Sequence, residues 1–439
     1  MQQIRLPLFY DLQAVIRQSD FHRKYDLIFQ SLDLSEVRDT NGGVGRTGFS
    51  RHAMFRAFIV KHLEGIKSVP RLIEFLDAHP VLTEMCGFDM GHLPDASQFY
   101  KFLTSTDTSV IEKLHHSVNQ ELIEQDIVSL SHFIMDSKPV MAATRDNNFK
   151  NPHRNVRDKN KTPHRNLSAT LSYYSYQEVN GKKDHFIFFW GYRTHVIVSK
   201  EGVPLVSATL PNNATDAKVA RKLIKKLKRV YRFKKGAFFI ADAAYDEREF
   251  YHFIVHQMKG QPFIPINPRN QQEPKTFGPH GYPICEAGIE MASRGTWTEG
   301  LRRRAKFGCP IKASPAVAEK HPDGCPIPHP RFFEPPAYGC TKYLDITHDS
   351  RAQVPRHSTL FRDTFCLRTE VERYFSRLGD REAEQTTHYK MRAIRNQMSI
   401  AHLSMSLVAY AAAILLQQPE KLRCFRTFAM SNTLLAKAG

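Results

Sequence analysis

Apolar positions change their period along this chain, and the change divides it. Over residues 1 to about 128 the spacing is helical. Met54, Phe55, Phe58, Ile59 and Leu63 share one face of a helix that Ser50 can cap and Gly65 ends. Leu72, Ile73, Phe75 and Leu76 mark a second helix, from about Val69, that stops before His79-Pro80. A third starts near Asp95 or Ser97 and buries Phe99 and Phe102. Two helices joined across a glycine turn are either a helix-turn-helix or part of a plain bundle. Arg51, Arg56, Lys61, Lys67 and Arg71 make DNA contact by this region plausible.

From about residue 129 short apolar runs take over. Val128 to Met135, Phe186 to Val198, Val203 to Leu210, Gly236 to Ala241 and Gln261 to Ile266 read as strands. Asp216 to Tyr231, which is strongly basic, and Asp246 to Met258 read as helices. The order strand, strand, strand, helix, strand, helix, strand predicts a mixed α/β sheet. Residues 268 to about 350 are rich in Pro and Gly and have no clear period. A loop that long inside a compact domain must fold separately or be held together in some other way. Helix returns over 359–418, first around Glu372 and then from about Met391 to Gln417. The apolar run Leu407 to Leu416 falls short of the roughly 20 residues that span a bilayer, so it reads as a buried helix. Residues 419–439 read as a tail. The expected division is therefore 1–128, 129–267, 268–350, 351–418 and 419–439.

Composition sharpens this picture in one direction. The chain has 439 residues, too many for one ordinary core. Hydrophobic residues make up 41% and charged ones 24%, which is globular rather than disordered. Lys plus Arg is 62 against 44 for Asp plus Glu, a net charge of +18, and that excess favours a polyanionic partner. Residues 141–166 concentrate it, with Lys150, Arg154 and Arg157 among seven basic residues. They read as a solvated loop or as a nucleic-acid arm. The first residues lack the apolar core of a secretory leader, and seven cysteines fit a reducing compartment, so a cytoplasmic protein with no membrane role is expected.

Three carboxylates stand in settings that point to chemistry. Asp136 closes the run His132-Phe133-Ile134-Met135, and Asp242 closes Ala237-Phe238-Phe239-Ile240-Ala241. An apolar strand that ends in Asp presents it at the carboxyl edge of a sheet, where α/β folds place their ligands. Glu372 lies in a helical segment, with Arg368 one turn before it on the same face. Two strand-end aspartates and a helical glutamate can share a pair of divalent metal ions, which clamp the attacking and leaving oxygens of a phosphodiester. The bland alternative makes the aspartates strand caps and Glu372 half of a surface ion pair.

These segments resemble the DDE transposases of bacterial insertion sequences. That family has an RNase H-like domain with Asp on the first strand, Asp on the fourth and Glu on a late helix. The matching positions are Asp136 in Ile-Met-Asp-Ser, Asp242 in Ala-Asp-Ala-Ala-Tyr and Glu372 in Arg-Thr-Glu-Val-Glu-Arg-Tyr-Phe. Gly191 to His195, Asn213 to Asp216 and Pro94 to Phe99 are also similar to family segments, so the likeness spans about residues 5 to 418. The resemblance implies an RNase H-like mixed sheet flanked by helices. It also implies a helical N-terminal domain that recognises DNA ends, and places the Cys- and Pro-rich residues 268–350 as an insertion before the last catalytic helix. It implies two Mg²⁺ (or Mn²⁺) ions on Asp136, Asp242 and Glu372, and DNA contacts by Arg368, Arg373 and Arg377. The partners it implies are the element's terminal inverted repeats and target DNA, with a homodimer or larger assembly on them. One subgroup carries Tyr, Arg, Glu and Lys along the last helix. Here Phe365 and Gly379 stand at the Tyr and Lys places, and Arg377 or Arg381 is left to take over the lysine's phosphate contact. An inactive DNA-binding descendant, or a nuclease that cuts without joining, is the rival reading.

Cys285, Cys309, Cys325 and Cys340 lie in the insertion, mostly beside Gly or Pro, which suits turns that present thiolates. Their spacing is wide and contains no C-x-x-C pair. They are either a structural Zn²⁺ site, with His321, His329 or His348 able to replace one ligand, or small buried side chains.

Overall fold

A computed structural model of the chain describes residue 16 and residues 18–39, 48–148, 150, 162–177, 184–267, 276–347 and 350–423. Arg154, Arg157, His348 and Cys424 lie outside the described residues. Among the described residues, the N-terminal region holds six helices: α1 (Asp20–Gln30), α2 (Arg51–Leu63), α3 (Val69–Asp77), α4 (Pro80–Cys86), α5 (Ala96–Ser105) and α6 (Thr108–Glu124). Strands β1 (His132–Met141), β2 (Thr170–Gln177), β3 (Asp184–Ser199) and β4 (Pro204–Pro211) follow. Next come helix α7 (Asp216–Val230), β5 (Phe238–Ile240), α8 (Arg248–His252) and β6 (Gln261–Phe263). The insertion contributes β7 (Ala292–Glu299), β8 (Arg302–Gly308) and β9 (Thr341–Asp345). Helices α9 (Thr359–Cys366), α10 (Thr369–Gly379) and α11 (Met391–Tyr410) close the series.

The main sheet has six strands, in the order β2-β3-β1-β5-β6 with β4 on β3. β2, β3 and β4 pair antiparallel, whereas β5 pairs parallel with both β1 and β6. A mixed sheet with helices around it, preceded by a helical region, is the RNase H-like arrangement expected.

Contacts divide the chain into two units. One comprises Met1–Ser129, Ser137–Ala214 and Glu372–Gly439, and the other Leu130–Asp136 and Thr215–Val371.

In the first unit the helical periodicity is realised as read. Ser50 Oγ accepts from the Ala53 amide at 3.1 Å, and Asp95 caps α5 through the Ser97 and Gln98 amides. α2 is nevertheless apolar all round. Its residues from Ala53 to Leu63 are buried except Arg56, and a helix covered on every side is a core helix. This corrects the basic residues proposed for DNA contact here. Lys61 is fully buried, Arg56 donates to the Cys86 carbonyl at 3.2 Å, and Arg51 donates to Thr106 Oγ1 at 3.4 Å. Only Lys67 and Arg71 of that set are exposed, and both sit beside carboxylates, Glu382 and Glu74. Helix α11, continued by a wide turn to Leu415, is long and apolar enough to cross a membrane. However, 78% of its apolar window is buried, with Ile400, Leu403 and Leu407 in the same core as Phe55, Phe58 and Phe99.

Two buried histidines make this unit sensitive to acid. Burial, helped by the charge of Lys61, pushes His388 down to about 3, and burial holds His62 well below the ordinary histidine range. A lowered folded pKa means that the unfolded chain takes the proton first as pH falls. The stability is present above the ordinary pKa of 6.5 and is lost progressively below it. By pH 5, His388 alone should remove about 2 kcal/mol. Thermal melts at pH 7 and pH 5 check this: the wild type should melt lower at pH 5, and His388→Gln should lose part of that dependence. A melting temperature equal at both pH values would refute the effect.

In the second unit α7 is amphipathic, with Ala217, Val219, Ala220, Leu223, Ile224 and Leu227 buried and lysines outside. The insertion is ordered by its own antiparallel sheet β7-β8-β9 and by two small apolar clusters around Phe307 and Phe332.

Candidate active site

Asp136 and Asp242 sit on neighbouring parallel strands. His132, Phe133 and Ile134 of β1 face Phe238, Phe239 and Ile240 of β5. Each aspartate lies two residues past the last of these pairs, and the paired strands run roughly 4.8 Å apart. Both are half-buried. Their local settings differ from the simple strand-end expectation for Asp136. β1 does not stop there but runs on to Met141, because β3 is its other neighbour in the sheet and Met141 also bridges to Gln385. Asp136 therefore lies two residues beyond the β1/β5 pairs and inside its own strand. Asp242 does lie just beyond β5, where it caps a short turn by accepting the Ala244 amide at 3.0 Å.

Arg368 lies in the turn before α10, and its Nη2 is 3.9 Å from Asp136 Oδ2, both side chains being largely covered. Asp136 is thus an ion-pair partner of Arg368. Asp363 is met by Arg362, at 3.4 Å. Asp246, in the same loop as Asp242, is buried and accepts the Asn267 amide at 2.9 Å, a structural closure that its sequence setting did not reveal.

Glu372 is exposed on the first turns of α10. With Lys138, Phe375, Ser376, Gly379, Asp380 and Glu384 it lines an open cavity of about 630 Å³. Lys138 is two residues after Asp136, hence on the same face of β1. Its ammonium donates to the Phe375 carbonyl at 3.0 Å and pairs with Glu384. A Cβ added at Gly379 would come within 2.5 Å of Glu384 Oε1 and 3.4 Å of Lys138 Nζ, so the space where a side chain at 379 would start is already taken. Lys138 was not singled out from the sequence, although the period-2 rule applied to Asp136 points to it. Arg381, offered as a replacement for the missing lysine, is buried and donates to the Leu63 carbonyl at 3.4 Å. Burial removes it from reach of a phosphate. Arg377 is half-buried and donates to the Gly202 carbonyl at 3.1 Å, while Arg373 and Lys150 are exposed.

Comparison with known families decides what this arrangement belongs to. Residues 129–407 match the family described as "Transposase DDE domain", and residues 11–105 match "Transposase domain (DUF772)". The chain belongs to the DDE transposases. DNA transposition is the function this membership implies. No curated protein matches the transposase. A solved piggyBac transposase synaptic complex with hairpin DNA, determined by cryo-EM, is 9% identical, with a TM-score of 0.36. The match covers 92% of this chain and 78% of that one, but a likeness at that score carries no argument.

Elsewhere in the transposase, the insertion brings cysteines together. Gly308 pairs with Thr341 across β8 and β9, so Cys309 and Cys340 occupy the next rung. Gly339 has φ +77°, and a Cβ there would come within 2.4 Å of the Cys309 Cβ, so only glycine fits beside this pair. Burial first, then the neighbouring Cys309 and Cys285, push the Cys340 thiol up to about 12. Cys285 and Cys340 share the Phe307 cluster, and Cys309, Cys325 and Cys340 belong to the Phe332 cluster. All four are free thiols. Among the described residues, no group of three or more His, Cys, Asp or Glu side chains is arranged to hold a metal ion.

Proposed function

We propose that this transposase cleaves DNA at the ends of an insertion sequence and joins the freed 3′-hydroxyl to target DNA, using Asp136, Asp242 and Glu372. The observation that supports this reading is that Asp136 and Asp242 each lie two residues past the paired segment of the adjacent parallel strands β1 and β5. Their carboxylates, with that of Glu372, are hard oxygen donors of the kind Mg²⁺ takes. Arg368 supports the fit, because a guanidinium already faces Asp136 where positive charge is wanted. The three carboxylates would hold the ions, which supply positive charge to the attacking and leaving oxygens of an in-line displacement.

The chain's own groups bind and orient. In cleavage, water forms a new P–O bond while the bond to the 3′ oxygen breaks, and that oxygen leaves as a hydroxyl. In joining, the 3′ oxygen bonds to a target phosphorus and displaces one target oxygen, so a phosphodiester replaces a phosphodiester. Arg368 would hold a non-bridging phosphate oxygen. Lys138 ties α10, which carries Glu372, to the strand that carries Asp136. The exposed Arg373 and Lys150, with Arg154, Arg157 and Arg377, would contribute to holding the terminal repeats, most simply within a homodimer or larger assembly.

A strand-transfer assay tests the reading directly, with an end-containing duplex bearing a free 3′-hydroxyl, a supercoiled target and Mg²⁺. Joined product is expected. Cutting without joining would identify a nuclease, and binding with neither reaction an inactive descendant.

The cysteines Cys285, Cys309, Cys325 and Cys340 belong to the same proposal as a structural Zn²⁺ site, supported by the adjacency of Cys309 and Cys340. Purified protein is expected to carry about one Zn²⁺ per chain, and Cys309→Ser should lose both the metal and the stability of residues 268–350. Metal-free protein of unchanged melting temperature, from a zinc-replete preparation, would make these thiols packing groups instead.

A further inference from the structure

Within the second unit, α7 and α8 border an open groove of about 590 Å³ whose lining includes Lys218, Arg221, Lys222, Lys225 and Arg248, and neither Asp136 nor Asp242. Helix α7 carries seven basic residues and one acidic one, Asp216. Lys218, Lys222, Lys225 and Arg229 stand at i, i+4, i+7 and i+11, so they form one stripe on the face opposite the buried Leu223, Ile224 and Leu227. All four are exposed. The acidic residues beside the groove are already engaged by another cation: Arg221 holds Glu249 at 2.8 Å and Glu247 at 3.9 Å. That contact holds the Glu249 carboxyl below its ordinary range. Lys225 lies over the Phe253 ring at 5.8 Å, its stem covering apolar surface and its head left toward solvent.

We propose that this groove and the stripe along α7 bind the sugar-phosphate backbone of duplex DNA at a surface separate from the catalytic carboxylates, without reading its bases. The stripe runs about 16 Å along the helix axis. A duplex carries roughly ten phosphate charges over that length. Exposed lysines, three of the four residues in the stripe, are mobile point charges that suit phosphates. Arg221, which also lines the groove, is engaged by its two glutamates. A free phosphate ion would need a closed pocket, and this stripe continues past the groove to Lys228 and Arg229. The proposal rests on the transposase reading only for the identity of the polyanion.

The test uses the full chain and a short duplex of unrelated sequence, followed by fluorescence anisotropy over a salt series. Lys218→Gln/Lys222→Gln/Lys225→Gln should melt with the wild type and bind more weakly at low salt. Its plot of log affinity against log salt should be shallower by about 2 to 3, one contact's worth for each phosphate released. Lys222→Glu alone should act in the same direction, which guards against a folding defect in the triple variant. A slope equal to the wild type's would overturn the proposal. The outcome is separable from the catalytic reading. A wild type that needs the stripe for binding yet never cuts or joins would remove the catalytic reading and keep the groove. An unchanged slope with normal joining would do the reverse.

Discussion

Strand cleavage is expected to fall at least about a thousandfold when Asp136, Asp242 or Glu372 is replaced by Ala, with DNA binding retained. Each substitution removes one oxygen donor from the proposed set. Asp136 is flanked on its own face of β1 by Lys138, a cation already committed to Glu384 and the Phe375 carbonyl. Asp242 is followed by Ala243 and Ala244, which offer no side-chain oxygen. The basic surface that supplies salt-dependent affinity is untouched, so binding and chemistry separate in this experiment. Single-turnover cleavage of an end-containing duplex, with anisotropy on the same variants, measures both. Normal cleavage by any one variant would take that residue out of the active site. Asp242→Ala also loses the cap on the Ala244 amide, so its melting temperature should drop slightly, by the equivalent of about 1 kcal/mol.

Arg368→Lys should produce the second-largest effect, a loss of cleavage of about a hundredfold with little change in overall DNA affinity. The guanidinium stands 3.9 Å from Asp136, a loose pair rather than a tight fork, on the side of the site where a phosphate would be held. Lysine retains the charge but not the planar pair of donors. A purely structural role, in which Arg368 only neutralises Asp136, makes a different prediction: the variant melts several degrees lower and cleaves normally once folded. Melting temperature measured beside the single-turnover rate distinguishes the two.

The settings of Asp136, Asp242 and Glu372 were legible because each depends on local pattern. An apolar run marks a strand, which placed Asp242 just beyond β5, but Asp136 lies inside β1 and Arg368 in the turn before α10 rather than on the helix face with Glu372. The helices of the N-terminal region were legible for the same reason, since Ser50 and Asp95 signal their starts through side chains that cap the very next turn. Three helices there, α1, α4 and α6, and strand β2 were missed. β2 has alternating polar and aromatic residues beside a basic loop, and only its antiparallel pairing with β3 makes it a strand.

What the sequence by itself determined about this protein is the class of its strongly periodic elements and the identity of the candidate carboxylates, because periodicity and caps act over a few residues. The tertiary structure decided which charged residues are available. Arg51, Arg56, Lys61 and Arg381 look like the other basic residues in the sequence. Packing turns them inward, toward Thr106, the Cys86 carbonyl, the core and the Leu63 carbonyl. It also decided that Asp136 lies mid-strand, that Arg368 pairs with it, and that Lys138 reaches the helix of Glu372. All of these contacts join residues distant in sequence. Which strand becomes the neighbour, and which side chain fills the space beside it, is settled by burial across the whole core and not by the residues on either side in the chain.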